Sequence, residues 1–391
     1  MNAVRLKSMP DLRFPEYQGV WDEVRLGEIC EHFKSGFGIT SQDISDVGDF
    51  PVYGGNGLRG YALTYTHDGY YALIGRQGAL CGNINRAHGK TFISEHAIAV
   101  SGGEISDTEW LAQKLDYMKL NRLSESSAQP GLSVNKLVRV KLFAPSLPEQ
   151  QKIAAFLSAV DQKSQLLQRK KELLEQYKKG VMQKLFSQEI RFKDENGNDY
   201  ADWEKKKIGE IAKVSAGGTP STLKVEYWGG DIPWMNSGEL NLKRVYNVQN
   251  CITPLGLRNS STKIIPSNCI LIGLAGQGKT RGTVAMNYIK LCTNQSIAAI
   301  YPNTSQFVSE FIYQVLDSKY EELRKLSTGD GGRGGLNLRI IKNIILNLPS
   351  VEEQKIISTY LSVQDENISM VGKILDASQK YKKGLLQQMF V

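Results

Sequence analysis

Cysteine and histidine are scarce in this chain of 391 residues. The five cysteines, Cys30, Cys81, Cys251, Cys269 and Cys292, are odd in number, widely scattered and form no Cys-x-x-Cys pair. That argues against a disulfide framework and against a structural zinc site. The four histidines, His32, His67, His88 and His96, all fall in the first quarter, and no His-Glu-x-x-His run exists. No metal site is expected. Long apolar runs are missing too: nothing approaches the roughly 18 consecutive apolar residues of a membrane span. The opening Met1–Lys7 lacks the apolar segment of a secretion signal. The expectation is a cytoplasmic protein that makes no membrane contact. There is no Gly-x-Ser-x-Gly elbow, no Cys/His pair and no Asp/Asn-Pro-Pro-Tyr run of the kind an amino-methyltransferase needs. Neither catalysis nor cofactor binding is visible.

What is present is enough apolar residue, 41%, for sizeable cores in two or three domains. The net charge of +8 is unevenly spread. Residues 1–144 carry 15 Lys and Arg against 16 Asp and Glu, whereas residues 191–348 carry 20 against 14. A modest basic excess suits a polyanionic partner.

The chain also repeats itself. Residues 145–186 align without a gap on residues 349–390, at an offset of 204, with about a third of the positions identical. Glu149-Gln150 matches Glu353-Gln354, Asp161 matches Asp365, and Tyr177-Lys178-Lys179-Gly180 returns as Tyr381-Lys382-Lys383-Gly384. Upstream, Trp21 and Leu26-Gly27-Glu28-Ile29 match Trp203 and Ile208-Gly209-Glu210-Ile211, at an offset of 182. The order is therefore globular unit, helix, globular unit, helix.

Apolar residues at Ile153, Leu157, Val160, Leu167, Leu174, Val181 and Leu185 recur near a 3.5-residue period, as do Ile357, Leu361, Ile368, Val371, Leu375, Leu385 and Met389. Both segments predict long amphipathic helices that pair with each other. Some 38 residues would span about 57 Å. The globular units read as α+β. Strands are expected at Tyr70–Ile74, Ala97–Val100, Val138–Phe143, Cys269–Ile272 and Ile297–Ile300, with helices near Trp110–Leu120 and Phe307–Leu326.

One stretch, Gly273-Leu274-Ala275-Gly276-Gln277-Gly278-Lys279-Thr280, fits a phosphate-binding loop. A nucleotide-binding enzyme is the alternative it raises. Such a loop needs a helix to open straight after Lys-Thr, but Arg281-Gly282-Thr283-Val284 follows. At an offset of 200 the first unit reads Gly75-Arg76-Gln77-Gly78-Ala79-Leu80-Cys81-Gly82. Glycines recur while side chains vary, as in a scaffold presenting interchangeable readers. Arginine pairs with guanine, and Asn or Gln with adenine, at major-groove edges. The candidate readers are Arg59, Arg76, Gln77, Gln277, Lys279, Arg281 and Arg333. A coiled-coil structural protein without DNA contact is the second alternative.

The whole arrangement resembles the specificity subunit of type I restriction-modification enzymes. The features that carry the match are the Leu-Gly-Glu-Ile run after a tryptophan, Pro-Ser-x-x-Glu-Gln opening a long helix twice, and Ser215–Pro220 with Ile232-Pro233-Trp234. The resemblance covers residues 15–391 and implies two duplicated α/β target recognition domains. They would be separated by two long antiparallel coiled-coil helices, with a pseudo-two-fold. The boundaries would be 1–144 for the first domain, 145–190 for the central helix, 191–348 for the second domain and 349–391 for the C-terminal helix. Each domain would read half of a split, asymmetric double-stranded DNA target, with the helices as the ruler for the gap. It also implies no cofactor on this chain. S-adenosylmethionine, ATP and Mg would belong to two methyltransferase subunits and to restriction/motor subunits. Tyr177, Lys178, Lys179, Tyr381, Lys382 and Lys383, which recur near the far ends of both helices, are the expected partner contacts.

Overall fold

The computed structural model describes residues 8–124, 131–276, 280–326 and 335–391. The chain divides into two units. Residues 1–170 and 371–391 form the first, and residues 171–370 form the second. Each unit therefore takes part of the long helix Leu147–Phe186 and part of the long helix Val351–Met389.

The first unit is built on an antiparallel four-stranded sheet. Its order is Cys30–Ser35, Ala97–Gly102, Tyr70–Gly75, Ile84–His88. The inner strand Tyr-Tyr-Ala-Leu-Ile-Gly is apolar on both faces because both faces are covered. Ala72 and Ile74 join Trp110, Leu111 and Leu115 of the helix Thr108–Met118, whereas Leu73 joins Ala97, Ala99 and Ile93 on the other side. Alternation along the strand assigns each residue to one layer. The second layer leads to a small sheet, Gly57–Ala62, Phe50–Gly54, Phe92–Ile93. The strands Asp22–Arg25 and Lys141–Ala144 pair antiparallel.

The second unit repeats the plan with additions. Its sheet has five strands, Val214–Ala216, Ile297–Ile300, Ile270–Gly273, Val284–Asn287 and Arg244–Val245, the last pair parallel. Ile270 and Ile272 face the helix Ser309–Ser318, and Leu271 faces the layer of Met235 and Leu240. The small sheet is Asn250–Ile252, Trp228–Met235, Cys292–Thr293.

Two expectations need correction. The expected strand Val138–Phe143 begins only at Lys141, because Val138 closes a short helix, Val134–Leu137, and its carbonyl accepts from Gly27 N (3.0 Å). The expected helix Phe307–Leu326 is two helices, Ser309–Ser318 and Tyr320–Lys325.

The repeated Glu-Gln explains how each helix holds its unit. Glu149 and Glu353 are 1% and 0% exposed. Glu149 accepts from Arg13 through both carboxylate oxygens (2.7 Å each) and from Trp21 Nε1. Glu353 accepts from Arg191 (3.1 and 2.8 Å) and Trp203 Nε1. Gln150 Oε1 accepts from Asp107 N, and Gln354 Oε1 from Val308 N. Those two amides open the sheet-packed helices, where an unmet N–H would be costly. Leu157 and Leu361, both fully buried, add about 2 kcal/mol each of apolar burial.

In the first unit the two long helices run antiparallel, since Asp161 meets Lys382 while Ser164 meets Ser378. In the second, Lys178 meets Asp365, and the hydroxyls of Tyr177 and Tyr360 are 2.8 Å apart.

Candidate nucleic-acid interface

In the first unit, three glycine-bearing segments converge at one end of the inner strand. A Cβ on Gly55 would stand 2.8 Å from His96 O, 3.2 Å from Gly75 Cα and 3.5 Å from Arg76 N, so only glycine permits this approach. Arg76 is pinned through its backbone: its N–H donates to His96 O (2.9 Å) and its carbonyl accepts from Leu132 N (2.9 Å). Its half-buried side chain is left to act. Arg59, exposed on the strand Gly57–Ala62, packs its stem against Gly54. Gln77 is exposed and bridges to Gly131. Arg59, Arg76 and Gln77 thus belong to neighbouring segments of one surface.

The matching loop of the second unit is glycine-governed in the same way. Gly82 has φ +86° and Gly282 φ +81°. A side chain on Gly82 would run into Asn121 N at 2.4 Å, and one on Gly282 would press on the Arg324 side chain at 3.2 Å. The match of Gly82 with Gly282 at an offset of 200 is therefore structural, whereas Gly75 and Arg76 correspond in backbone bonding to Gly273 and Leu274, at an offset of 198, so the second loop is two residues longer. Gln277, Lys279 and Arg333 lie outside the described residues, and Arg281 is half-buried. The phosphate-loop alternative fails on geometry. After Thr280 the chain passes through Arg281–Thr283 into the strand Val284–Asn287, so among the described residues no helix opens straight after the Lys-Thr position.

Two other arginines are consumed internally. Arg86 pairs with both oxygens of Glu109 (2.8 Å each), and the Tyr70 hydroxyl donates to the same carboxylate. In the second unit Arg244 takes Glu310 (2.7 and 2.5 Å) and lies over the Tyr313 ring. Both guanidinium groups are held charged by these partners despite partial burial.

Burial pushes the thiols of Cys30 and Cys269 up to about 12, so they stay protonated near neutral pH. Among the described residues no group of three His, Cys, Asp or Glu is placed to hold a metal ion, and no helix is long and apolar enough to cross a membrane.

The expected partner contacts separate into two kinds. Tyr177, Lys179, Tyr381 and Lys383 are exposed. Lys178 and Lys382 turn into the helix pair, with side chains 14% and 25% exposed, and meet Asp365 and Asp161.

Sequence reasoning missed Arg13 and Arg191, which precede the repeats it used. It also missed the turns Ser94–His96 and Asn294–Ser296. Carrying the offset of 200 a few residues back from Ala97 and Ile297 would have found those turns.

The profile of the type I restriction modification DNA specificity domain family matches residues 19–176 and 200–377. The chain is 42% identical over 154 residues to the type I restriction enzyme EcoprrI specificity subunit of Escherichia coli, covering 38% of each protein. It is 33% identical over 211 residues to the MjaIX specificity subunit of Methanocaldococcus jannaschii, covering 53% of this chain and 48% of that one. In these matches it spans less than half the length of either relative. The MjaVIII specificity subunit of M. jannaschii is matched over 97% of this chain and 93% of its own, at 23% identity. In fold, the chain is similar to the crystal structure of a type I restriction-modification S subunit from M. genitalium. The TM-score is 0.70 at 16% identity, covering 98% of this chain and 99% of that one.

Proposed function

The chain belongs to the type I restriction modification DNA specificity family, and from that premise we propose that it is the non-catalytic DNA reader of a multi-subunit restriction-modification complex. Each unit reads one half of a bipartite, asymmetric double-stranded target. The observation that carries this is the twinned glycine loop. Gly82 and Gly282 hold the same left-handed turn, while the surrounding side chains differ between the units. A constant frame with variable donors suits two different half-sites. Arg59, Arg76 and Gln77 supply readers in the first unit. Gln277, Lys279, Arg281 and Arg333 do so in the second.

The chemistry resides in partners. Two methyltransferase subunits bring S-adenosylmethionine, and restriction/motor subunits bring ATP and Mg. The chain itself holds no cofactor and works in the cytoplasm. Tyr177, Lys179, Tyr381 and Lys383 are the partner contacts, and the exposed aromatic rings of Tyr177 and Tyr381 suit that role. Lys178 and Lys382 act with them by fixing the helix pair.

The test is the native methylome with and without the gene. One split methyladenine motif is expected to vanish on deletion. An unchanged methylome would overturn the reading.

A further inference from the structure

Between the strands Phe92–Ile93 and Ala97–Gly102 of the first unit lies a three-residue turn, Ser94-Glu95-His96, and between Cys292–Thr293 and Ile297–Ile300 of the second lies its counterpart, Asn294-Gln295-Ser296. The backbone holds both turns with the same bonds. Ser94 N donates to Tyr53 O (2.8 Å) as Asn294 N does to Met235 O (3.0 Å). His96 O accepts from Arg76 N (2.9 Å) as Ser296 O does from Leu274 N (2.8 Å). Ala97 N closes on Ser94 O (3.0 Å) as Ile297 N closes on Asn294 O (3.3 Å). These bonds fix the Cα of the middle residue and ask nothing of its side chain, which is Glu95 in one unit and Gln295 in the other.

We propose that Glu95 and Gln295 are sequence-reading residues, Glu95 taking the exocyclic amine of a cytosine and Gln295 pairing with an adenine. The proposal rests on the reading that the units bind DNA, and it adds two readers and the base each selects. Glu95 sits beside the Arg76 loop through the His96 carbonyl. Its Oε1 lies 3.2 Å from His96 Nε2, and its side chain is 37% exposed. Its Oε2 is shielded from solvent without a hydrogen-bond partner among the described residues. An unmet carboxylate oxygen is costly, and beside phosphate the charge is repelled. A base amine that meets the solvent-facing part of the carboxylate offsets the repulsion.

A carboxylate only accepts. Cytosine presents its N4 amine in the major groove, whereas adenine sets the N7 acceptor beside N6. Glu95 therefore selects cytosine. Gln295 is exposed, and its Oε1 accepts from Thr219 Oγ1 (2.5 Å). That bond orients the carboxamide and leaves Nε2 and one lone pair free, a donor–acceptor pair that matches adenine N7 and N6.

The experiment is the reciprocal exchange, Glu95→Gln and Gln295→Glu, in the full chain expressed with its own partner subunits. The methylated motif is read by single-molecule sequencing. Purified complexes are titrated with duplexes carrying each of the four bases at every specified position. Glu95→Gln should move one position of one half-site from cytosine to adenine, weakening the original duplex about tenfold or more. Gln295→Glu should do the reverse in the other half-site, with each untouched half unchanged. Unaltered base preference in both exchanges would overturn the assignment, as would equal weakening on all duplexes. Deleting the gene separates this from the parent reading: a methylome unchanged by deletion defeats DNA direction itself, not the assignment of these two residues.

Discussion

Lys178 Nζ lies 2.5 Å from Asp365 Oδ1, and at the equivalent positions of the repeat Lys382 Nζ lies 2.6 Å from Asp161 Oδ1. Each lysine recurs because each aspartate does: every copy of the helix supplies the cation for the other's anion. With Lys178 only 14% exposed, the pair stands between a surface bridge and a buried one. Lys178→Asp should therefore destabilise the second unit by about 1–2 kcal/mol. The exchange Lys178→Asp with Asp365→Lys should recover part of it. A double-mutant cycle in denaturant measures the coupling, and an interaction near zero would reduce the pair to packing.

Glu353 makes a sharper prediction. Its carboxylate is fully buried and accepts from Arg191 and Trp203. Glu353→Ala leaves both donors without their acceptor, and a loss of about 3 kcal/mol is expected. The second unit should lose stability while the first keeps its own. Hydrogen exchange resolved by unit reads this directly.

The paired architecture was legible because it is written twice. The Glu-Gln steps, the 3.5-residue stripe and the apolar inner strands each constrain local structure, and all of them held. The role of Lys178 was not legible. Its sequence neighbours look like an exposed basic helix end, and the partner that draws it inward is 187 residues away. Arg13 and Arg191 were hidden for a related reason. They sit in irregular segments, where no periodicity marks a residue as buried. The network of Arg86 with Glu109 and that of Arg244 with Glu310 defeat alignment altogether. The two carboxylates match at an offset of 201, but the arginines arrive from non-equivalent strands.

Arg76 carries the most direct specificity prediction. Its backbone is bonded on both sides to neighbouring segments, so its guanidinium is presented from a fixed base. Arg76→Ala should relax recognition at one or two base pairs, at about 1–3 kcal/mol each. Binding to unrelated duplexes should change far less. The assay is competition between the methylated motif and single-base variants, and an unchanged preference would remove Arg76 from the readers.

His32 and His67 give the first unit a pH dependence that the second cannot share, since residues 171–370 contain no histidine. The two rings stand edge to face at 5.3 Å, with Tyr71 against both. Burial holds His32 below its ordinary 6.5; Lys34 adds to this and Glu31 opposes it. Burial also lowers His67, and the neighbouring His32 lowers it further. The folded unit therefore binds fewer protons than the unfolded chain between its depressed values and 6.5. Stability rises with pH across that window and is lost as pH falls through it. Acidifying from about pH 7 to about pH 5.5 should weaken hydrogen-exchange protection in the first unit more than in the second. His67→Phe removes one titrating ring and should flatten the dependence. If the slope survives that substitution and His32→Phe alike, the histidine pair is not its source.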